Sequence, residues 1–222
     1  MIYYVLELTG VFAFAISGAL AALQNRLDLS AAIVLAFLVG NGGGTIRDLL
    51  LNTPVFWFQA HYYIYLSAIT GAVVFTLAYL IERKRRSRTI RKIRFTARVP
   101  LSQLLLLCDA VGLGVFTVDG AAKALSLGTD TTVAVMMGVL TAVGGGVIRD
   151  LICNQIPMIF QRQLYATPAL LGAIIYVTTV RDWPTAEPAA MFWAITAVIG
   201  LRLLGIYRNW GLPVVKHGAS ES

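Results

Sequence analysis

Charge is scarce in this chain. Asp, Glu, Lys and Arg make up 13% of its 222 residues, against about 25% in an ordinary soluble domain. Hydrophobic residues make up 58% and the mean hydropathy is +0.74. That much apolar surface cannot be hidden in one water-soluble core, so lipid is the solvent the composition asks for. Cysteine and histidine are scarce as well. Cys108 and Cys153 lie in apolar stretches with no CxxC or Cys/His spacing, which excludes a disulfide framework and a zinc site. They read as small core residues. His61 and His217 have no partner at ligand spacing, so no metal is expected. There is no HExxH, GxSxG or Walker lysine, and an enzyme is not expected.

Basic residues outnumber acidic ones, for a formal charge of +7 and a pI near 9.7. Half of them sit in one segment, Arg83–Arg98, between two apolar stretches. That placement argues against a nucleic-acid partner. It fits a cytoplasmic loop facing anionic lipid, with a phosphoinositide or nucleotide site as the alternative. The first apolar segment has no basic leader and contains Glu7, so it reads as a retained helix and not as a cleaved signal peptide.

A spanning helix needs about 20 mostly apolar residues. Seven candidates follow, at 2–24, 31–52, 62–81, 101–125, 132–153, 163–180 and 189–207. Aromatics gather at their ends, as in Phe56-Trp57-Phe58, Tyr62-Tyr63, Trp183 and Trp210. The fold class expected is therefore an all-α integral membrane protein with seven transmembrane helices. With the basic loop in the cytoplasm, the N-terminus lies outside and the C-terminus inside, in a cell inner (plasma) membrane.

The chain also repeats itself. A shift of 102 residues lays Glu7 on Asp109, Phe14 on Phe116, Asp28 on Asp130, Gly42-Gly43-Gly44 on Gly144-Gly145-Gly146, and Ile46-Arg47-Asp48-Leu49 on Ile148-Arg149-Asp150-Leu151. Each copy holds three spans, and an odd number inverts the second copy in the membrane. The expected division is a first three-helix repeat at 1–81, the basic loop at 82–100, a second inverted repeat at 101–180, a seventh helix at 181–207 and a cytoplasmic tail at 208–222.

The glycine triplets carry the sharpest signal. Each glycine costs a helix about 1 kcal/mol relative to alanine, and in lipid a freed backbone group must face protein or a watery cavity. Paired triplets predict two broken helices meeting around a polar path. Close packing of smooth helices is the other reading. Arg47, Asp48, Arg149 and Asp150 follow one turn later, expected to pair across the repeats or with the broken-helix ends and not simply with each other, since consecutive side chains leave a helix about 100° apart. They either lock the repeats together or line the path. Glu7, Asp109 and Asp119 add carboxylates that favour cations. Lys123 shares a helix face with Asp119; it either snorkels to the interface or responds to voltage.

These features together, the doubled GGGxIRD on the second span of each repeat and a seventh span, resemble the TRIC family of trimeric intracellular cation channels in its prokaryotic form. Bacterial proteins with the same paired domains are also labelled glycine transporters. The resemblance covers nearly all of residues 1–207. It implies a homotrimer with a pore inside each protomer, kinks at Gly42–Gly44 and Gly144–Gly146, and potassium, with sodium, as the permeant ion. It also implies a voltage-responsive role for Lys123. A secondary transporter of glycine or another small amino acid, and a non-transporting scaffold, are the competing functions.

Overall fold

In the computed structural model, residues 2–87, 101–161, 164–208 and 210–211 are described. Most of Arg83–Arg98, and the tail from 212 onward with His217, lie outside the described residues. The described chain is helical. The helices are α1 (Ile2–Gln24), α2 (Leu29–Leu50), the short α3 (Phe56–Gln59), α4 (Tyr62–Ser87), α5 (Leu101–Ser126), α6 (Thr131–Ile152), α7 (Ala166–Asp182) and α8 (Glu187–Arg208). Single 3-10 turns occupy Met158–Phe160 and Pro184–Ala186.

Among the described residues six helices are long and apolar enough to cross a bilayer, one fewer than the seven expected: α1, α2, α4, α5, α6 and α8. α7, with 17 residues, is about 25 Å long at 1.5 Å per residue. The expected span ends agree with the observed ones to within a few residues, with one larger departure. α4 runs on through Glu82–Ser87, because Glu, Lys and Arg are good helix formers and nothing there breaks the helix.

The C-terminal ends of α2 and α6 are closed by the same device, whereas a side-chain cap at the N-terminal end is made in α2 and not in α6. The Asp28 carboxylate caps α2 by accepting from the Ala31 N–H at 2.8 Å, as an N-cap residue should. That bond, and then the Ser30 hydroxyl, hold the Asp28 carboxyl below its usual range. The cap therefore survives until pH falls through that lowered value. α2 ends with the Thr53 N–H on the Asp48 carbonyl at 2.9 Å, and α6 with the Gln155 N–H on the Asp150 carbonyl at 2.8 Å. Asn52 and Asn154 adopt the left-handed conformation that closes such an end (φ 52° and 54°).

α1, α2 and α4 pack against one another, and α5, α6 and α7 do the same. The halves meet where α1 lies on α5 and α2 on α6. α8 packs on α5 and α7 of the second half, and its Glu187 accepts a hydrogen bond from the Tyr3 hydroxyl of α1. The seam is lined by fully buried side chains including Val11, Phe14, Val39, Leu113 and Phe116, with the Phe14 and Phe116 rings 5.4 Å apart.

The expectation of broken helices is not met. α2 is continuous α-helix through Gly42–Gly44, and α6 through Gly144–Gly146. The glycines serve a close crossing instead. A Cβ on Gly43 would overlap the Thr141 carbonyl oxygen, and one on Gly145 the Val39 carbonyl oxygen. A Cβ on Gly144 would lie 3.0 Å from the Gly43 Cα. Backbones this near leave no room for a methyl, which is the small-residue mode of membrane packing. Gly43→Ala is accordingly expected to lower thermal stability by about 2 kcal/mol or more, as overpacking does. Gly200→Ala, with nothing near its Cβ, should be neutral or stabilising by up to about 1 kcal/mol. Melting of the two purified variants in detergent checks this.

Candidate functional site

Three arginines, Arg47, Arg149 and Arg202, are the largest fully buried side chains among the described residues. A buried guanidinium must be paired and hydrogen-bonded to persist, and Arg47 and Arg149 each sit among carboxylates.

Arg47 lies in the last turn of α2, where a cation also suits the helix dipole. Its Nε donates to Asp48 Oδ1 at 2.7 Å, its Nη1 to Asp119, and its Nη2 to Glu7 Oε1 at 3.3 Å. Its guanidinium carbon stands 5.7 Å from the centre of the Phe56 ring. Glu7 is held in turn by the Tyr63 hydroxyl, which donates to Oε2 at 2.6 Å. Lys123 Nζ donates to Asp48 Oδ1 at 2.7 Å. Asp48 Oδ2 accepts the Phe56 N–H at 2.9 Å. That N–H is the first of α3, so the carboxylate also anchors the short helix.

Arg149, in the last turn of α6, repeats the plan. Its Nε donates to Asp150 Oδ1 at 2.9 Å, and its Nη1 to Asp109 Oδ1 at 2.6 Å and Ser17 Oγ at 2.7 Å. Asp150 Oδ2 accepts the Met158 N–H at 2.9 Å, and the Tyr165 hydroxyl donates to Asp109 Oδ1 at 3.2 Å. Met158 Sδ lies 3.7 Å from Arg149 Nη2 and 3.2 Å from Arg202 Nη2. Arg202, from α8, also donates to the Leu164 carbonyl at 3.0 Å and covers the Tyr165 ring at 4.7 Å.

The structure thus brings Glu7, Arg47, Asp48, Asp119 and Lys123 into one cluster, and Asp109, Arg149 and Asp150 into another. Each arginine bonds its own adjacent aspartate, contrary to the expectation from the 100° step. The arginine stem is long enough to curl back to its neighbour. Pairing between the halves occurs as well, through Arg47–Asp119 and Lys123–Asp48.

Several members went unnoticed in the sequence. Tyr63 and Tyr165 are related by the 102-residue shift, as are Phe56 and Met158, so extending the repeat comparison to polar and anchoring positions would have found them. Ser17 falls opposite Asp119 in the same register. Arg202 has no counterpart in the first repeat, and no signal in the chain marked it out.

A cavity opens onto each cluster. One, of about 250 Å³, is lined by Tyr3, Glu7, Asp119, Ala122, Lys123 and Ser126. The other, of about 190 Å³, reaches Arg149 and Asp150 past Gln24, Cys153, Gln155 and Gln161. The two share no lining residue. Among the described residues no group of three or more His, Cys, Asp or Glu side chains is arranged to hold a metal.

Known proteins resemble this chain in sequence and in fold. The family model described as "Glycine transporter" matches twice, at residues 4–79 and 106–181, which are offset by the same 102 residues as the internal repeat. The UPF0126 inner membrane protein YadS of Escherichia coli K12 is 35% identical over 214 residues, 96% of either chain. Among solved structures, the TRIC trimeric intracellular cation channel orthologue from Rhodobacter sphaeroides has a TM-score of 0.80 and 32% identity, covering 94% of this chain and 98% of its own. A prokaryotic TRIC channel solved in 0.5 M KCl has a TM-score of 0.80 and 30% identity, covering 96% and 99%.

Removing the Arg149 guanidinium leaves the buried Asp109 and Asp150 without their direct ion-pair partner, which costs about 3–5 kcal/mol. Arg149→Met is therefore expected to abolish stable folding or to lower the melting temperature steeply. Tyr165→Phe removes one hydrogen bond and keeps the ring under Arg202, for a loss of about 1 kcal/mol. Detergent melting curves of the two variants test the ranking.

Proposed function

We propose, from the premise that this chain belongs to the glycine-transporter-domain family and is a prokaryotic member of the TRIC fold family, that it is a homotrimeric monovalent cation channel. Each protomer carries its own conduit between the two repeats, in a bacterial inner membrane. The observation that supports this most is the pair of cavities, each reaching charged members of a buried arginine cluster along the seam between the halves. Between the clusters lie Phe14, Phe116 and the glycine crossing of α2 and α6. Read this way the conduit is shut at a dry middle. Opening is then a small slide of α2 on α6 along the smooth glycine faces, with Gly42–Gly44 and Gly144–Gly146 as the sliding surface and not as a break.

The permeant ion is potassium, with sodium also passing. Glu7 and Asp119 in one cavity wall favour cations over anions. Arg47, Asp48, Arg149, Asp150 and Asp109 hold the halves together at the two cavity floors. Lys123, bonded to Asp48 beside the first cavity, is the charge best situated to respond to voltage, at about 2.3 kcal/mol per charge per 100 mV. α7 serves as the sixth of seven spans, short enough to need a thinner local bilayer or flanking anchors. The second repeat is inverted relative to the first, with the N-terminus outside, the C-terminus in the cytoplasm and Arg83–Arg98 against anionic lipid.

A transporter of glycine or a similar zwitterion is the second reading. It is favoured by the family description and by a cavity wall carrying both carboxylates and an ammonium group. Purified protein in planar bilayers is expected to give unitary currents that reverse at the potassium equilibrium potential in a potassium chloride gradient. Silent bilayers, together with saturable uptake and counterflow of labelled glycine in proteoliposomes, would replace the channel by the transporter. In addition, Cys153 fronts the second cavity, so a cationic membrane-impermeant thiol reagent applied from the cytoplasmic side is expected to reduce the current. Cys153→Ser should remove that sensitivity.

A further inference from the structure

We propose that Asp119 sets the charge preference of the conduit and makes it electrostatically one-sided, with an acidic mouth on the Arg47 side and a neutral mouth on the Arg149 side. This rests on the channel reading above.

The two clusters match position by position under the 102-residue shift: Arg47 with Arg149, Asp48 with Asp150, Glu7 with Asp109, Tyr63 with Tyr165. Among the charged positions related by the shift, they part company at two places. Ser17 stands where the other half has Asp119, and Ala21 where it has Lys123. Asp119 and Ser17 do the same local job, each accepting a hydrogen bond from Nη1 of the arginine opposite. The protein itself therefore demonstrates that a serine hydroxyl suffices to seat that guanidinium. The negative charge of Asp119 is more than packing requires, and it fronts the 250 Å³ cavity.

The walls differ accordingly. The first cavity carries Glu7 and Asp119 against Lys123, an excess of one negative charge. The second carries Arg149 and Asp150, which balance, among neutral amides. A fixed charge at one mouth of a narrow, low-dielectric passage gathers cations and repels anions there. Its reach is the Debye length, about 10 Å at 0.1 M salt and about 30 Å at 0.01 M. Cation flow entering from the acidic mouth is favoured over flow entering from the neutral one, most strongly at low salt. Replacing the acid by the residue its own counterpart uses removes the excess without leaving a hole beside Arg47, which keeps Asp48 and Glu7.

The test is bilayer recording of the full-length protein and its Asp119→Ser and Ser17→Asp variants, in symmetric low-salt potassium chloride and across a gradient. Wild type is expected to rectify at low salt and to lose the rectification at high salt. Asp119→Ser is expected to lower the potassium-over-chloride permeability ratio several-fold and to flatten the current–voltage curve. Ser17→Asp places an acid against Arg149, at the floor of the other cavity; it should raise the ratio and also flatten the curve, and it remains informative should Asp119→Ser assemble poorly. An Asp119→Ser channel, or failing that a Ser17→Asp channel, with the wild-type ratio and wild-type rectification would overturn the proposal while leaving the channel intact. A wild type that passes no cation current would overturn the channel reading, and this one with it.

Discussion

Two guanidinium groups buried at the meeting of two helical halves govern the rest of this structure. A buried arginine is tolerated only where its charge is matched and its N–H groups are used. Arg47 and Arg149 satisfy that condition by drawing partners from several helices at once. Arg47 gathers Glu7 of α1, Asp48 of its own helix and Asp119 of α5. Arg149 gathers Asp109 of α5, Asp150 of its own helix and Ser17 of α1. Each arginine thus ties together α1 and α5, the two helices that form one line of the seam.

The glycine crossing and the arginine clusters depend on each other. Because α2 and α6 touch at Gly43, Gly144 and Gly145, the arginines one turn further along come to lie close to the α1–α5 line. Because the following aspartates reach forward to the N–H groups of Phe56 and Met158, the chain folds back after each helix and covers the cluster. A motif that looks like a charged dipeptide thus does three things: it closes a helix end, neutralises a buried arginine and anchors the next segment.

Duplication explains why so much is shared between the halves, and the departures from it show where they have specialised. The first cluster has an acid and an amine on α5, so its ties between the halves are ionic. The second has a serine and an alanine at the matching places on α1 and takes in Arg202 from α8, the helix that has no copy. The outcome is a molecule whose two clusters follow one plan with different charged partners.

The bilayer address, the helix positions, the repeat register and the identity of the buried charges other than Arg202 were legible in the chain, because hydropathy and periodicity are local properties and a 102-residue match needs no coordinates. What the glycine triplets do was not legible. A broken helix and a close crossing demand the same residues, and only the position of the Thr141 and Val39 carbonyl oxygens against Gly43 and Gly145 distinguished them. Nor was the bonding of Arg47 to Asp48 legible, since backbone geometry alone turns adjacent side chains apart and only a folded rotamer brings them together. Arg202 marks the limit most clearly: it became part of the second cluster because α8 happens to pack on α5 and α7, a fact about neighbours in space that no spacing along the chain encodes.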